Sequence, residues 1–292
     1  MKVTKAIITA AGLGTRVLPA SKAVPKEMLN IVDKPAVQYL VEEAASSGIT
    51  DILIITNRNK EAIENHFDYA YELEDNLRKK PGGESLYNSV RRCAELANIY
   101  FLRQKETRGV GHAVLTAKTF VGGDPCAILF GDDIIINDEY PVTKQLADAF
   151  DKYGRSVTAV RKFPKEQIMK YCTLDVEPLE GNVMNCRKII EKPDEEHILS
   201  LYASIGRNVV TPDIFEILER TEPSPKTGEI YLSDALNEIA CAGKLCALEF
   251  VGKRYDMGDK FGILQANCEV ALNHPEIGAK FKDYIKELAK TF

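Results

Sequence analysis

The first half of the chain alternates short apolar runs with segments of helical periodicity. The apolar runs are rich in β-branched residues and predict strands buried on both faces. We place these strands at residues 5–9, 52–56, 99–102 and 126–130. The helical segments lie at residues 35–47, 62–67, 71–80 and 84–96. Strands that alternate with helices are typical of right-handed βαβ units, so we expect a largely parallel sheet.

The second half is less regular and predicts a different arrangement. Strands are expected at residues 156–161, 173–176, 183–190 and 205–210, with a turn at Glu180-Gly181-Asn182. These strands indicate an extra antiparallel layer beside the parallel sheet. Helices are expected at residues 213–220, 233–242 and 275–290, and Ser233 is a suitable N-cap for the second of them. The apolar stripe of the last helix is explained equally well by packing on the core and by an oligomer contact.

Composition narrows the classes of protein to consider. The chain has 292 residues, 45% of them hydrophobic and 28% charged, which is enough to build a full core and argues against disorder. The net charge is −5 and no Lys/Arg run occurs, so we expect no nucleic-acid partner. No apolar stretch approaches the roughly 18 residues of a membrane span. The seven cysteines lack CxxC spacing, which favours free thiols in a reducing, cytoplasmic setting.

The first strand runs directly into a small, glycine-rich loop, AAGLGTR at residues 10–16. The loop lacks the GxxxxGK[ST] pattern of a Walker A motif. Its GxG lacks the third glycine of a dinucleotide fingerprint, because Val17 stands there, and no acidic residue ends the second strand. Two interpretations stay open, an ordinary turn and a phosphate-binding loop with Arg16 as its cation. Lys26, presented after Pro25, strengthens the second interpretation.

Carboxylates follow two apolar runs. Asp132 comes just after the strand at residues 126–130, where open α/β sheets bind ligands, and Asp256 follows the apolar run at residues 248–251. Oxygen ligands of this kind suit Mg²⁺, although Gly-Asp is also ordinary turn chemistry. Asp133 and Asp259 lie close to these two carboxylates, and Asp259 is well placed to cap a helix.

A third charged pair, Glu191 and Lys192, ends the strand at residues 183–190. Side chains of neighbouring strand residues point to opposite faces, so a bend is required for both to reach one ligand. Taken alone, the pair favours a solvated, ion-rich edge over a binding site.

The motifs together resemble the bacterial UTP–glucose-1-phosphate uridylyltransferases within the sugar nucleotidyltransferase family. The resemblance covers nearly the whole chain: AGLGTR and PKEML are followed in the expected order by GVGHA, EKP and GEIYLSDA. It implies a Rossmann-like three-layer α/β/α sandwich with a mixed, mainly parallel central sheet and an added small antiparallel sheet. It also implies one domain over residues 1–292. Residues 1–135 would bind nucleotide, residues 136–257 sugar phosphate, and residues 258–292 would form a C-terminal helical segment.

The same resemblance implies a role for each matching residue. Catalytic roles fall on Arg16, Lys26 and Lys192, and magnesium ligation on Asp132 and Asp256. Nucleotide-binding roles fall on Ala10, Ala11, Gly12, Gly14, Thr15, Gln104 and Gly111. Sugar-phosphate-binding roles fall on Glu191, Lys192, Cys172 and Gly206. Two residues depart from the family pattern: Cys172 stands where a glycine is common, and Asn30 where a proline is common. A glycine at the first position would let backbone approach the sugar, and the cysteine adds bulk there.

The expected reaction is attack by glucose 1-phosphate on the α-phosphorus of UTP, with Mg²⁺ as cofactor and a homo-oligomer, dimer or tetramer, as the working form. Two alternatives stay open. One is a thymidylyltransferase or another sugar-1-phosphate nucleotidyltransferase of the same fold. The other is a non-catalytic sugar-nucleotide-binding protein, which the joint presence of Arg16, Lys26, Asp132 and Lys192 disfavours.

Overall fold

The computed structural model describes residues 2–291. Within that range the strands are β1 (Lys5–Thr9), β2 (Asn30–Ile31), β3 (Lys34–Pro35), β4 (Asp51–Thr56), β5 (Asn98–Arg103), β6 (Cys126–Phe130), β7 (Asp133–Ile136), β8 (Ser156–Lys162), β9 (Cys172–Glu180), β10 (Val183–Glu191), β11 (Tyr202–Val210), β12 (Leu245–Glu249) and β13 (Lys253–Asp256).

The helices in the same range are α1 (Ala36–Ser46), α2 (Glu61–Phe67), α3 (Tyr71–Lys79), α4 (Glu84–Ala94), α5 (Val110–Thr116), α6 (Lys118–Val121), α7 (Val142–Tyr153), α8 (Lys165–Ile168), α9 (Asp213–Arg220), α10 (Leu232–Cys241), α11 (Lys260–Asn273) and α12 (Gly278–Ala289). No helix between residues 2 and 291 combines the length and apolarity needed to cross a membrane.

Nine strands form one central sheet in the order β5-β4-β1-β6-β11-β8-β12-β10-β9. Seven of these nine strands share a direction, and only β10 and β11 run against it. Two small antiparallel sheets, β7 with β13 and β2 with β3, lie outside it. The predicted fold class is therefore confirmed, and β1 and β6 have the predicted bounds.

The strands of the second half do not form a separate layer as expected. β11 pairs with β6 and with β8, β8 pairs with β12, and β12 pairs with β10, so all of them extend the main sheet. Backbone N–H and C=O groups at the edge of β6 need partners when buried, and β11 supplies them. The small antiparallel sheet comes instead from β7 and β13, which flank the predicted metal carboxylates.

Hydrophobic side chains alternate across the sheet and pack under a helical layer on each side. In β1, Ala6 and Ile8 join the core beneath α1, α7 and α11, whereas Ile7 joins the core beneath α5, α9 and α10. Ile7 and Ile8 are fully buried, and each contributes about 1.5–3 kcal/mol by leaving water. This gives the three layers that the family resemblance implies.

Helix ends agree with the sequence in one place and differ in another. Pro35 precedes the first residue of α1, and Gly48, with φ 90, follows its end, which agrees with the helix predicted at residues 35–47. The N-cap role predicted for Ser233 is wrong, because α10 begins one residue earlier, at Leu232. Ser233 instead lies in the first turn of α10 and lines the same cavity as Glu191.

Candidate active site

The loop after β1 is anchored from behind through its carbonyl groups. Asn57 Nδ2 donates to the Ala11 carbonyl oxygen over 2.5 Å, and Lys60 Nζ donates to the carbonyl oxygen of Ala10. Lys60 also forms an ion pair with Glu27, 2.8 Å from Nζ to Oε2, and the Glu27 side chain is fully buried. Burial raises the pKa of Glu27 and lowers that of Lys60. These three supporting side chains were not predicted, although Glu27 belongs to the PKEML motif.

The glycines of this loop have distinct structural reasons. Gly14 has φ 68, a conformation that favours glycine, and its carbonyl accepts a hydrogen bond from Ser21 Oγ over 2.7 Å. A Cβ on Gly12 would lie 3.5 Å from Lys26 Nζ, so the loop passes directly over that ammonium group. Gly12 and Thr15 are exposed, which leaves this part of the backbone open to a ligand.

Four of the predicted residues meet beside the loop. Lys26 Nζ lies 2.5 Å from Asp132 Oδ2, and Arg16 lies 3.6 Å from Asp132 and 3.5 Å from Asp256. Burial alone would raise the pKa of Asp132, but the charge of Lys26 and then that of Arg16 lower it overall. The Arg16 side chain keeps 62% of its surface exposed, so it is free to reach a phosphate.

Gly258 leaves the space between the two carboxylates. A Cβ at this position would lie 2.3 Å from Arg16 Nη2, 2.8 Å from Asp132 Oδ2 and 3.0 Å from Asp256 Oδ1. Both carboxylates therefore lie within 3.0 Å of one point. The backbone N–H of Gly258 also donates to Asp256 Oδ1 over 2.8 Å. Gly258 was not predicted, and the sequence signal that could have found it is its position two residues after Asp256.

The Asp133 side chain is bound by other residues of the protein and is not open to a ligand. Arg254 pairs with its carboxylate, with Nε 2.5 Å from Oδ1, and Gly206 N donates to Oδ2 over 3.2 Å. A Cβ on Gly206 would lie 2.7 Å from Phe130 Cβ, so glycine is needed here for packing. Gly206 therefore holds Asp133 in place, and its predicted contact with sugar stays a prediction.

A cavity of about 140 Å³ lies between the sheet and the helices α5 and α10. Its lining includes Glu191, Cys172 and Tyr231. Burial raises the pKa of Glu191, while a hydrogen bond from Ser233 and the charge of Lys192 oppose that rise. Burial also raises the pKa of Cys172 to about 12, so the thiol is neutral at physiological pH.

The bend required at the end of β10 occurs at Lys192 itself. This residue has φ 44, a left-handed conformation that interrupts the strand alternation. Its Nζ lies 5.0 Å from the centre of the Tyr231 ring, and Glu191 lines the cavity beside that ring. The structure thus places Glu191 and Lys192 beside the same aromatic ring, that of Tyr231. Tyr231 was not predicted, although it lies in the GEIYLSDA segment.

Two of the predicted nucleotide-binding residues, Gln104 and Gly111, form a third group. Gln104 is buried, and its Nε2 lies 2.8 Å from His112 Nδ1 and donates to the Gly109 carbonyl over 3.3 Å. Gly111 N donates to the Ile230 carbonyl over 2.9 Å, and a Cβ on Gly111 would lie 2.8 Å from that oxygen. The glycines of the GVGHA segment are therefore required for packing against this backbone.

Comparison with known proteins identifies the family to which this arrangement belongs. Residues 5–272 match the nucleotidyl transferase family model. The chain is 47% identical over 289 residues to the UTP–glucose-1-phosphate uridylyltransferase YngB of Bacillus subtilis, covering 99% of this chain and 96% of that protein. It is 46% identical to a UTP–glucose-1-phosphate uridylyltransferase of Staphylococcus epidermidis, covering 98% and 99% of the two chains.

Solved structures agree with these relatives. The UTP-bound UGPase from Acinetobacter baumannii superimposes with a TM-score of 0.87 at 33% identity, covering 98% of this chain and 99% of that chain. A UDP-glucose pyrophosphorylase complexed with UDP-glucose has a TM-score of 0.85 at 38% identity, covering 93% and 100%. The fold, the motifs and these relatives give one answer: the chain belongs to the nucleotidyl transferase family, in the branch of the bacterial UTP–glucose-1-phosphate uridylyltransferases.

Proposed function

We propose that the chain transfers a uridylyl group from UTP to glucose 1-phosphate, giving UDP-glucose and pyrophosphate. The relatives named for this reaction, and the solved relatives that hold UTP or UDP-glucose, support this choice of substrates. The observation that carries the proposal is the meeting of Arg16, Lys26, Asp132 and Asp256 beside the glycine-rich loop. With a net charge of −5, the chain attracts polyanions only through such a local cluster.

The chemistry needs positioning more than it needs an acid or a base. The phosphate of the sugar is already an anion at neutral pH, so no group has to remove a proton from it. The obstacle is repulsion between two anions, and fixed cations that hold both in line overcome it. Arg16 and Lys26 hold the triphosphate in this proposal. Lys192 anchors the sugar phosphate, and Glu191 accepts hydrogen bonds from sugar hydroxyls.

Asp132 and Asp256 are the residues that would hold Mg²⁺. They fit because both are oxygen ligands within 3.0 Å of one point, in a space that a side chain on Gly258 would fill. Between residues 2 and 291 no larger cluster of His, Cys, Asp or Glu suited to a metal is present. Two carboxylates suffice, because Mg²⁺ usually completes its shell with phosphate oxygens and water. When bound, the ion would neutralise phosphate charge.

Pyrophosphate release tests the proposal. The purified protein is assayed with Mg²⁺, a panel of UTP, dTTP, CTP, ATP and GTP, and a panel of hexose 1-phosphates. UTP with glucose 1-phosphate should give the highest kcat/KM. Preference for dTTP would support the thymidylyltransferase alternative, and binding of UDP-glucose without turnover would support the non-catalytic one.

An aspartate pair provides the matched variants for this assay. Asp132→Asn should lower kcat by about 100-fold or more, because it removes charge where the phosphates meet. Asp259→Asn, three residues beyond Asp256 but at the N-cap of α11, should keep normal turnover. Equal activity of the two variants would contradict the role of Asp132.

The working form and the organisation of the chain are part of the same proposal. Phe261 and Leu264 on α11 and Tyr284 on α12 expose large apolar side chains, which favours the predicted homo-oligomer. Light scattering of the wild type and of a Phe261→Ser, Leu264→Ser variant tests this. The division into nucleotide-binding and sugar-phosphate-binding halves at residue 135, and the cytoplasmic location, stay predictions.

A further inference from the structure

The two carboxylates beside the glycine-rich loop are carried by one small ribbon. Asp132 directly precedes β7, and Asp256 is the last residue of β13. The two strands pair antiparallel, and Asp133 lies opposite Asp256 in their register. The relative position of Asp132 and Asp256 therefore depends on how firmly β7 and β13 are held together. A two-stranded ribbon is only marginally stable by itself, so it needs further support.

Arg254 supplies that support across the ribbon. Its Nε and Nη2 lie 2.5 and 3.2 Å from the two oxygens of Asp133, in the forked geometry that arginine forms with a carboxylate. Both side chains are largely buried, 11% and 7% exposed. Gly206 N and Arg207 Nη1 complete the bonding of Asp133, to its Oδ2 and its carbonyl oxygen. Asp133 is thus a fixed anchor, and Arg254 joins β13 to it.

The other side of the same guanidinium faces the sugar-phosphate residues. Its centre lies 5.3 Å from that of the Tyr171 ring, and Nη1 donates to Tyr171 Oη over 3.4 Å. Tyr171 in turn accepts a hydrogen bond from Lys192 N at its carbonyl oxygen, over 2.8 Å. That bond holds the strained, left-handed turn at Lys192. One side chain therefore contacts the anchors of both parts of the site.

We propose that Arg254 is a positioning residue that keeps the Asp132/Asp256 pair and the Lys192 turn in fixed relation, through Asp133 on one side and Tyr171 on the other. The proposal rests on the proposed function, because it assigns Lys192 to the sugar phosphate. Arg254 itself touches neither substrate. Lysine cannot replace it, because a single ammonium group cannot form the two-pronged bond to Asp133 and at the same time donate to Tyr171 Oη.

Arg254→Lys tests the proposal while keeping the buried charge. The expected result is a 10- to 100-fold loss in kcat/KM for glucose 1-phosphate, since displacements near 1 Å have effects of that size. Half-maximal activity should also need more Mg²⁺. In EDTA, calorimetry should show about ten-fold weaker binding of UDP-glucose. UTP binding in EDTA should change less than two-fold, because the loop that holds it does not contact Arg254.

Arg187→Lys is the matched control. Arg187 makes the same forked contact with Asp175, at 2.9 and 3.0 Å, but on an exposed part of the β9–β10 hairpin. Arg187→Lys should leave kcat/KM for glucose 1-phosphate, the Mg²⁺ requirement, UDP-glucose binding and UTP binding unchanged. If Arg254→Lys only lowers the melting temperature, with kinetics and binding like those of the wild type, the role is purely structural and the proposal fails.

A second variant covers the case in which Arg254→Lys does not fold. The double change Asp133→Asn, Arg254→Gln replaces the ion pair by two amides and leaves no buried charge unpaired. It should fold and show the same loss toward glucose 1-phosphate, and wild-type values from the folded double variant would overturn the proposal. Wild type that is inactive with UTP and glucose 1-phosphate would instead refute the proposed function, so the two failures are distinguishable.

Discussion

At the scale of single residues, Gly258 shows how a missing side chain defines a site. Gly258→Ala places a Cβ 2.3 Å from Arg16 Nη2, so the guanidinium has to move away from the carboxylates. Losing one charge-assisted contact to the triphosphate costs about 1.5 kcal/mol, or roughly a ten-fold rise in KM for UTP. Steady-state kinetics measure this rise, and urea unfolding should show a change below about 1 kcal/mol.

Gly123→Ala is the control for this change. A Cβ on Gly123 meets no atom within 4 Å, so both KM and stability should stay at wild-type values. A KM for UTP that is unchanged in Gly258→Ala would show that Arg16 does not need its present position.

At the same scale, Asp132 and Asp133 show what a sequence motif can and cannot distinguish. Asp132 and Asp133 are adjacent and chemically identical, and the sequence favours Asp132 only through a resemblance. The structure separates them physically: Asp133 pairs with Arg254, while Asp132 faces Arg16 and Lys26. Residues distant in sequence therefore decide the difference between the two aspartates. No local sequence pattern encodes which arginine pairs with which aspartate.

At the scale of elements, the start of α11 follows directly after Asp256. Asp259 caps this helix, and its Oδ2 accepts hydrogen bonds from the N–H groups of Phe261 and Gly262 over 3.0 Å. Asp259→Ala should lower the free energy of unfolding by about 1 kcal/mol, whereas Asp259→Asn should change it by a few tenths, since asparagine caps equally well. Urea denaturation measures both values. Equal losses in the two variants would mean that charge, rather than capping, is the reason for Asp259.

Elements also differ in how visible they are in the sequence. β1 and β6 were predicted to the residue because buried parallel strands are continuous apolar runs. β7 (Asp133–Ile136) was missed, since it is only four residues long and Gly131-Asp132 alone separates it from β6. β9 extends to Glu180, four residues beyond the prediction, because its polar outer half pairs with β10 rather than with a core. Pairing partners, which are remote in sequence, decided both cases.

At the scale of the whole molecule, the charge cluster ties stability to pH. The folded-state pKa of Asp132 is lowered from its ordinary value of 3.8, because Lys26 and Arg16 outweigh the effect of burial. A carboxyl with a lowered pKa stabilises the fold above its unfolded-state pKa of about 3.9, and that contribution is lost as the pH falls through the folded-state pKa. The stability gap between wild type and Asp132→Asn should therefore be constant from pH 6 to 8 and shrink below about pH 4.

Urea unfolding at several pH values measures this gap. Carboxylates common to both proteins cancel in the difference, so the trend reports Asp132 itself. A gap that widens toward pH 3 would mean that the folded protein prefers the protonated form, contrary to the ion pair with Lys26.

The sequence by itself determined the fold class, the four strands β1, β4, β5 and β6, the helices α1 to α4 and the family. These features depend on apolar periodicity and on short motifs. Both are local properties of the sequence that can be recognised without knowing any distant contact. Only the tertiary structure decided that the second-half strands extend one sheet, and that Arg16, Lys26, Asp132 and Asp256 meet around Gly258. Strand pairing and ion pairing join distant residues, such as Arg16 and Asp256, which are 240 positions apart. The packed core sets the geometry of these contacts, and neighbours in the chain do not.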